Sequence, residues 1–191
     1  MAGLAHQQLA ALLDEFGSAG PAPGGGSAAA LTCALGAALV EMAARIELSR
    51  GDGAHLAEGE LDRMVELRRH ALVLAEAELS AYAPVLDARR LPASDPVRPG
   101  RIAEALDQAS RGPLDIAETA AEVAELGERI AGAAEPAVRG DALTGVVLAE
   151  AAAASAAALV RVNLSDRPTT AAAERARGAA SRGASARRRV T

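Results

Sequence analysis

Only Phe16 and Tyr82 are aromatic in a chain of 191 residues, and tryptophan is absent, so the core has to be built from alanine, leucine, valine and isoleucine. Small side chains bury little area each, at roughly 25 cal/mol per Å² of apolar surface, and they serve best where long elements approach closely along their whole length. Runs of Ala, Leu, Glu and Arg without β-branched alternation read as helices, because alanine loses no side-chain entropy in that conformation. The expectation is an all-α fold: a bundle of long antiparallel helices with a small-residue core. A core this thin in apolar area requires long helices packed over large faces or another subunit, so an oligomer is expected.

Helical spacing of Leu4, Leu9, Leu12, Leu13 and Phe16 predicts a first helix over 3–17, stopped by Gly17 and Gly20. The turn Pro21-Ala22-Pro23-Gly24-Gly25-Gly26 leads to Ser27, read as the N-cap of a second helix reaching about Leu48. A third is expected over 56–86, kinked or ended by Pro84, and the prolines of 91–100 mark a loop. A helix over 101–111 is then interrupted by Gly112-Pro113, and another covers 114–134. Asp141 is placed like Ser27, as an N-cap of a small-residue helix over 142–162. Residues 169–191 hold Ala, Arg, Ser and Gly without an apolar period, which predicts a basic disordered tail after a helical domain over 1–168.

The formal charge is −5, and residues 171–191 carry six Arg against Glu174, leaving −10 on residues 1–170. An acidic body without stacking aromatics argues against nucleic-acid binding. Lysine is absent, which excludes Schiff-base chemistry. Cys33 has no partner for a disulfide and sits in an apolar run, where it serves as a small hydrophobe, so a reducing cytoplasm fits best. The stretch 142–160 is nearly uncharged but mostly alanine and contains Glu150, so it reads as a buried helix in a soluble protein, not a membrane span. His6, His55 and His70 stand at no metal-ligand spacing, and no metal is expected.

Glycines directly before a helix leave backbone N–H groups free to meet an anion or a carbonyl oxygen, and the helix dipole adds positive potential there. Pro23, Gly24, Gly25, Gly26 and Ser27 are therefore candidate binding residues, although the same turn serves plain helix initiation. Asp141 reads equally as an N-cap or as a general base. Glu41, Glu47, Glu78 and Glu150 are further carboxylates, of which Glu41 and Glu150 interrupt apolar runs, where low-dielectric surroundings raise a pKa.

The segment Pro21-Ala22-Pro23-Gly24-Gly25-Gly26-Ser27-Ala28-Ala29-Ala30, continued by Ala34-Leu35-Gly36-Ala37-Ala38-Leu39, resembles the signature of the formiminotetrahydrofolate cyclodeaminase and methenyltetrahydrofolate cyclohydrolase family. Ala81-Tyr82, Val85, Leu91-Pro92, Gly112-Pro113-Leu114, Asp141 and Val162-Asn163-Leu164 are similar in order and spacing, so the resemblance covers roughly residues 5–165. It implies an all-helical homodimer that acts on a tetrahydrofolate derivative without metal, nucleotide or other cofactor. One implied reaction closes an N5-formimino group onto N10 and expels ammonia, giving the 5,10-methenyl compound; the other adds water to the methenyl carbon and yields 10-formyltetrahydrofolate. Both pass through a tetrahedral carbon between N5 and N10. The implied roles give substrate binding to Pro23 and the N–H groups of Gly24 to Ser27, and proton transfer to Asp141, with Glu78 as the second candidate. Arg50-Gly51-Asp52-Gly53-Ala54-His55 stands where the family carries Lys-Lys-Tyr, and Ala134-Glu135-Pro136-Ala137 where it carries Gly-Asn-Pro-Asn. The alternative expectation is therefore a non-catalytic helical dimer that binds folate or another anion.

Overall fold

A computed structural model of the chain describes residues 8–20, 22–50 and 58–190. The expectations that fall on Leu4, His6, Pro21 and 51–57, His55 among them, lie outside these residues. The described residues form eight helices: α1 Leu9–Phe16, α2 Gly25–Ser49, α3 Glu58–Ala81, α4 Ala83–Arg90, α5 Arg98–Ala109, α6 Arg111–Ala133, α7 Pro136–Asn163 and α8 Ala171–Val190. No strand occurs among them.

The helix boundaries have local causes, and two differ from the sequence expectation in a way that matters for the site. Gly24, in extended conformation, is the N-cap of α2, so Ser27 lies inside the helix as its third residue. Proline is favoured at the first helical position, where its missing N–H costs nothing, and α7 accordingly starts at Pro136. Asp141 is thereby its sixth residue, exposed, and not an N-cap. The N–H of Glu135, just before that start, donates to Glu47 Oε1 at 2.9 Å, which ties the head of α7 to the end of α2. Pro84 separates α3 from α4, as its missing donor and ring sterics require. The break expected at Gly112-Pro113 falls instead at Ser110, which ends α5 and begins α6, so both residues lie in the first turn of α6.

Helix α2 packs on α3, α6 and α7, while α6 packs on α7, α8 and α3. Contacting residues give the directions. Ser27 meets Ala75 and Glu41 meets Arg68, so α2 and α3 are antiparallel. Gly25 faces Leu159 and Gly36 faces Gly145, so α2 and α7 are antiparallel as well. The pairs Glu118–Arg175 and Glu125–Arg182 run the same way along both helices, so α8 lies parallel to α6. The main core draws Cys33, Ala37, Val40, Met64, Val123, Ile130, Val146, Ala153 and Ala186 from these five helices, with alanine filling most remaining places. Helices α4 and α5 form a small hairpin over Val85, Ala88, Ala105 and Ala109.

The tail expected to be disordered is the ordered helix α8 over most of its length. Its apolar period is written in the smallest side chains: Ala176, Ala179, Gly183 and Ala186 are buried against α6 and α7. Three arginines spaced by seven residues, Arg175, Arg182 and Arg189, reach Glu118, Glu125 and Glu128 of α6. A disordered tail has no fixed acidic partners; here the acidic body supplies them along one helix face. The domain thus extends beyond residue 168. By length and composition α2 and α7 are each apolar enough to cross a bilayer, and in this fold they are central bundle helices packed on each other and on α6.

Helices α2 and α7 touch backbone to backbone. A Cβ added at Gly145 would lie 2.7 Å from Gly36 O and 3.3 Å from Val40 N, and one added at Gly36 would lie 2.7 Å from Gly145 O. Backbone atoms cannot swing aside, so the whole helix pair has to separate. Gly145→Val is expected to lower the unfolding free energy by about 1–3 kcal/mol or more, measured by urea denaturation followed by circular dichroism; unchanged stability would contradict the close approach.

Candidate functional site

The close α2–α7 approach carries the end of α7 alongside the head of α2, and the turn between α5 and α6 closes the space between them. The result is a cavity of about 300 Å³ lined by Ala22, Gly24 to Ser27, Glu78, Ala81, Tyr82, Ala109, Pro113, Leu159, Val162 and Asn163. The first helix-type bond of α2 runs from Ala28 N to Gly24 O at 3.0 Å. The N–H groups of Gly25, Gly26 and Ser27 precede it and have no acceptor within the helix, so they are donors at the positive end of the dipole. No side chain caps this end. The Ser27 hydroxyl is committed elsewhere: it donates to Ala75 O at 2.9 Å, wholly buried, and fixes α2 against α3 one turn before Glu78.

Glu78 is the carboxylate of the cavity. Its Oε1 is buried with no hydrogen-bond partner among the described residues, and burial pushes its pKa above the usual carboxylate range. The side chain lies between Gly26 of α2 and Gly112 of α6: a Cβ on Gly26 would stand 2.6 Å from Glu78 Cδ, and one on Gly112 would stand 3.3 Å from it. The other carboxylates singled out by the sequence are occupied. Burial raises the Glu41 pKa, but hydrogen bonds from Arg68 at 2.7 Å and Arg45 at 2.8 Å outweigh it and hold the group below its ordinary value. Glu47 accepts the Glu135 N–H, and Arg187 stands 4.0 Å from Glu150. Cys33 is buried in the core, its thiol pushed up to about 12 by desolvation, which leaves it no nucleophilic thiolate.

The structure therefore brings together Gly24, Gly25, Gly26, Ser27 and Glu78. It does not bring Pro23, which is buried in the preceding turn while Ala22 and Gly24 face the cavity. Asp141 is also apart. Leu159 touches Gly25, and eighteen residues of α7 at 1.5 Å each put Asp141 about 27 Å farther along the helix in the same chain. Within one chain α2 and α7 are antiparallel, so their leading ends lie at opposite ends of the pair. Tyr82, Gly112-Pro113 and Asn163 were noted in the sequence without a role. Tyr82 forms a wall at the α3–α4 break, and Asn163 Nδ2 donates to Ala109 O at 3.2 Å, fixing the end of α7 to the end of α5. An unpaired acid beside free helix N–H groups is equipped to bind a polar, electron-rich edge and to move a proton at one face of it.

The sequence pattern of the formiminotransferase-cyclodeaminase family matches residues 8–182. Among curated proteins, methenyltetrahydrofolate cyclohydrolase of Methylorubrum extorquens is 33% identical over 171 residues, which is 85% of this chain and 81% of that one. Formimidoyltransferase-cyclodeaminase of Sus scrofa is 35% identical over 126 residues, 62% of this chain but only 23% of the longer pig protein. Formiminotetrahydrofolate cyclodeaminase from Thermotoga maritima has the same fold, with a TM-score of 0.84 over 98% of this chain and 95% of that one at 22% identity.

The state of Glu78 is measurable without any ligand. Its pKa is raised in the folded chain relative to the unfolded one, so the stability it contributes is complete below the unfolded value and is lost as pH rises through the folded value. Glu78→Gln keeps the shape of the protonated acid and removes the charge. The variant should melt with the wild type near about pH 4, where Glu78 is protonated in both states, and above it at about pH 8. A variant less stable at pH 8 would mean that the carboxylate has a partner in the folded protein.

Proposed function

Because the chain belongs to the formiminotransferase-cyclodeaminase family, we propose that it is an enzyme of folate one-carbon metabolism acting on a tetrahydrofolate derivative in the cavity at the head of α2. The observation that carries this reading is Glu78, an acid with a raised pKa that lines the same cavity as the free N–H groups at the head of α2. In the hydrolytic direction the Glu78 carboxylate takes a proton from the water that adds to the methenyl carbon. It then returns that proton to N5 as the carbon–N5 bond breaks, while the hydroxyl on the same carbon gives up its own proton to solvent and becomes the carbonyl of the 10-formyl compound. In the cyclodeaminase direction protonated Glu78 gives its proton to the formimino nitrogen while N10 closes on the carbon; the proton that N10 loses passes to the same nitrogen, and the carbon–nitrogen bond breaks to release ammonia and leave the 5,10-methenyl cation. The N–H groups of Gly25, Gly26 and Ser27 hold a polar edge of the pterin, and Leu159, Val162 and Tyr82 give it an apolar bed. A purely binding role leaves the unpaired acid without a task and is the weaker reading.

Purified protein is expected to accelerate loss of the 5,10-methenyltetrahydrofolate absorbance, or ammonia release from the 5-formimino compound. Glu78→Gln should lower kcat by about 10²-fold or more, the contribution of a positioned proton donor, with KM much less affected. A wild-type chain inactive in both assays would overturn the assignment.

A second copy is proposed to cover the outer face of α2 and α7, where Leu35 is 56% exposed and Met42 and Val147 are 37% exposed. Leu35 and Met42 stand seven residues apart on α2 and Val147 on α7, large apolar side chains left exposed on two long apolar helices, and water is a poor cover for them. A two-fold axis crossing the middle of α2 carries the Asp141 end of one copy toward the cavity end of the other, which gives Asp141 a route to the site. Sedimentation equilibrium should return twice 19.2 kDa, and Leu35→Glu with Met42→Glu should return the single-chain mass; a monomeric wild type at micromolar concentration would contradict it.

A further inference from the structure

We propose that Gly112, in the first turn of α6, is a positioning residue for the acid: with Gly26 opposite, it forms a slot that holds the Glu78 carboxyl with Oε1 turned away from every protein donor. The inference rests on the proposed role of Glu78 and extends it to a residue that touches neither substrate nor reacting atoms.

Glycine has a cost in a helix. Inside a helix it is less favourable than alanine, since its backbone loses more freedom on folding. At Gly36, Gly127 and Gly145 the cost has a structural return, because an added Cβ would strike a neighbouring helix or a core valine. At Gly112 it has no such return. The backbone there is ordinary right-handed helix, and among the described residues outside that helix turn the neighbours within 4 Å of an added Cβ are Glu78 Oε1 and Cδ. The absence of a side chain at this position therefore makes room for one thing, the carboxyl of Glu78. Gly26 does the same from the other side, its added Cβ standing 2.9 Å from Glu78 Cγ.

The slot also explains why the acid stays unpaired. Oε1 is buried against Gly112 with no hydrogen bond, and no ionisable side chain lines the cavity from α2, α6 or α7; from the α3–α4 junction Tyr82 alone does so. A carboxyl placed here keeps its proton to higher pH through burial and not through a charged neighbour.

Gly112→Ala tests this, because the atoms in its way are the far end of a flexible side chain. The carboxyl swings out while the helices stay, so the variant should fold with a melting temperature no lower than wild type. Its kcat for the folate reactions should fall about tenfold or more with KM within about threefold. In ¹³C NMR the Glu78 carboxyl should titrate closer to the ordinary glutamate range than in the wild type, and adding Gly112→Ala to Glu78→Gln should cause no further loss. Wild-type kcat and titration in Gly112→Ala would overturn the proposal. So would an equal loss in the Glu78→Gln background, or a variant that does not fold, since either assigns Gly112 to the scaffold. If the wild-type chain turns over neither folate, the proposed function fails, and the slot then stands or falls on the titration alone.

Discussion

Two missing side chains set the geometry of this protein. Gly36 and Gly145 let α2 and α7 meet at their backbones, and helices at that spacing exclude anything larger than alanine from most of the facing positions. Ala37, Ala149 and Ala153 are accordingly buried without exposure. Dispersion between atoms at contact distance replaces the large apolar areas that Phe and Trp supply elsewhere. Because the pair is antiparallel and in contact over its full length, the tail of α7 is delivered beside the head of α2, with Leu159 against Gly25. The cavity exists at that place for that reason.

The same device recurs at the site with the opposite purpose. In the core, glycine removes a Cβ so that two backbones close up; at Gly26 and Gly112 it removes one so that a carboxyl can enter. The Ser27 hydroxyl, bonded to Ala75 O, holds α3 one turn from the acid, and Asn163 holds α7 to the end of α5. Polar side chains around the cavity thus serve mainly to fix the scaffold. The groups left for a ligand are backbone N–H donors, which carry no rotamer freedom, and one acid. Such an arrangement is preorganised: little has to move when a polar group arrives.

Much of the fold was legible because alanine, leucine and the charged helix formers speak for one conformation, and Pro84 and Pro136 mark real boundaries. What the sequence hid was decided between helices. Residues 169–191 show no apolar period if only large side chains are counted, yet Ala176, Ala179, Gly183 and Ala186 make a continuous buried stripe once a partner comes close enough for small residues to fill the gap. Ser27 and Asp141 look like caps locally, but Gly24 and Pro136 begin their helices earlier. The glycine turn was legible as an anion or carbonyl site from helix physics alone. Glu78 was not separable from Glu41, Glu47 and Glu150 in the sequence, because what distinguishes it is that the other three have partners from distant parts of the chain. Asp141 is a candidate through its likeness to a helix start and through the family resemblance, and the antiparallel packing of α2 and α7 parts it from the cavity within one chain.

The central claim is that one-carbon chemistry takes place between the head of α2 and Glu78. A crystal structure of the protein with 5-formyltetrahydrofolate, a stable stand-in for the N5-substituted substrate, tests it most directly. The pterin is expected against the N–H groups of Gly25 to Ser27, with the formyl group within hydrogen-bond reach of the Glu78 carboxyl. A ligand bound elsewhere on the chain, with this cavity empty, would contradict it.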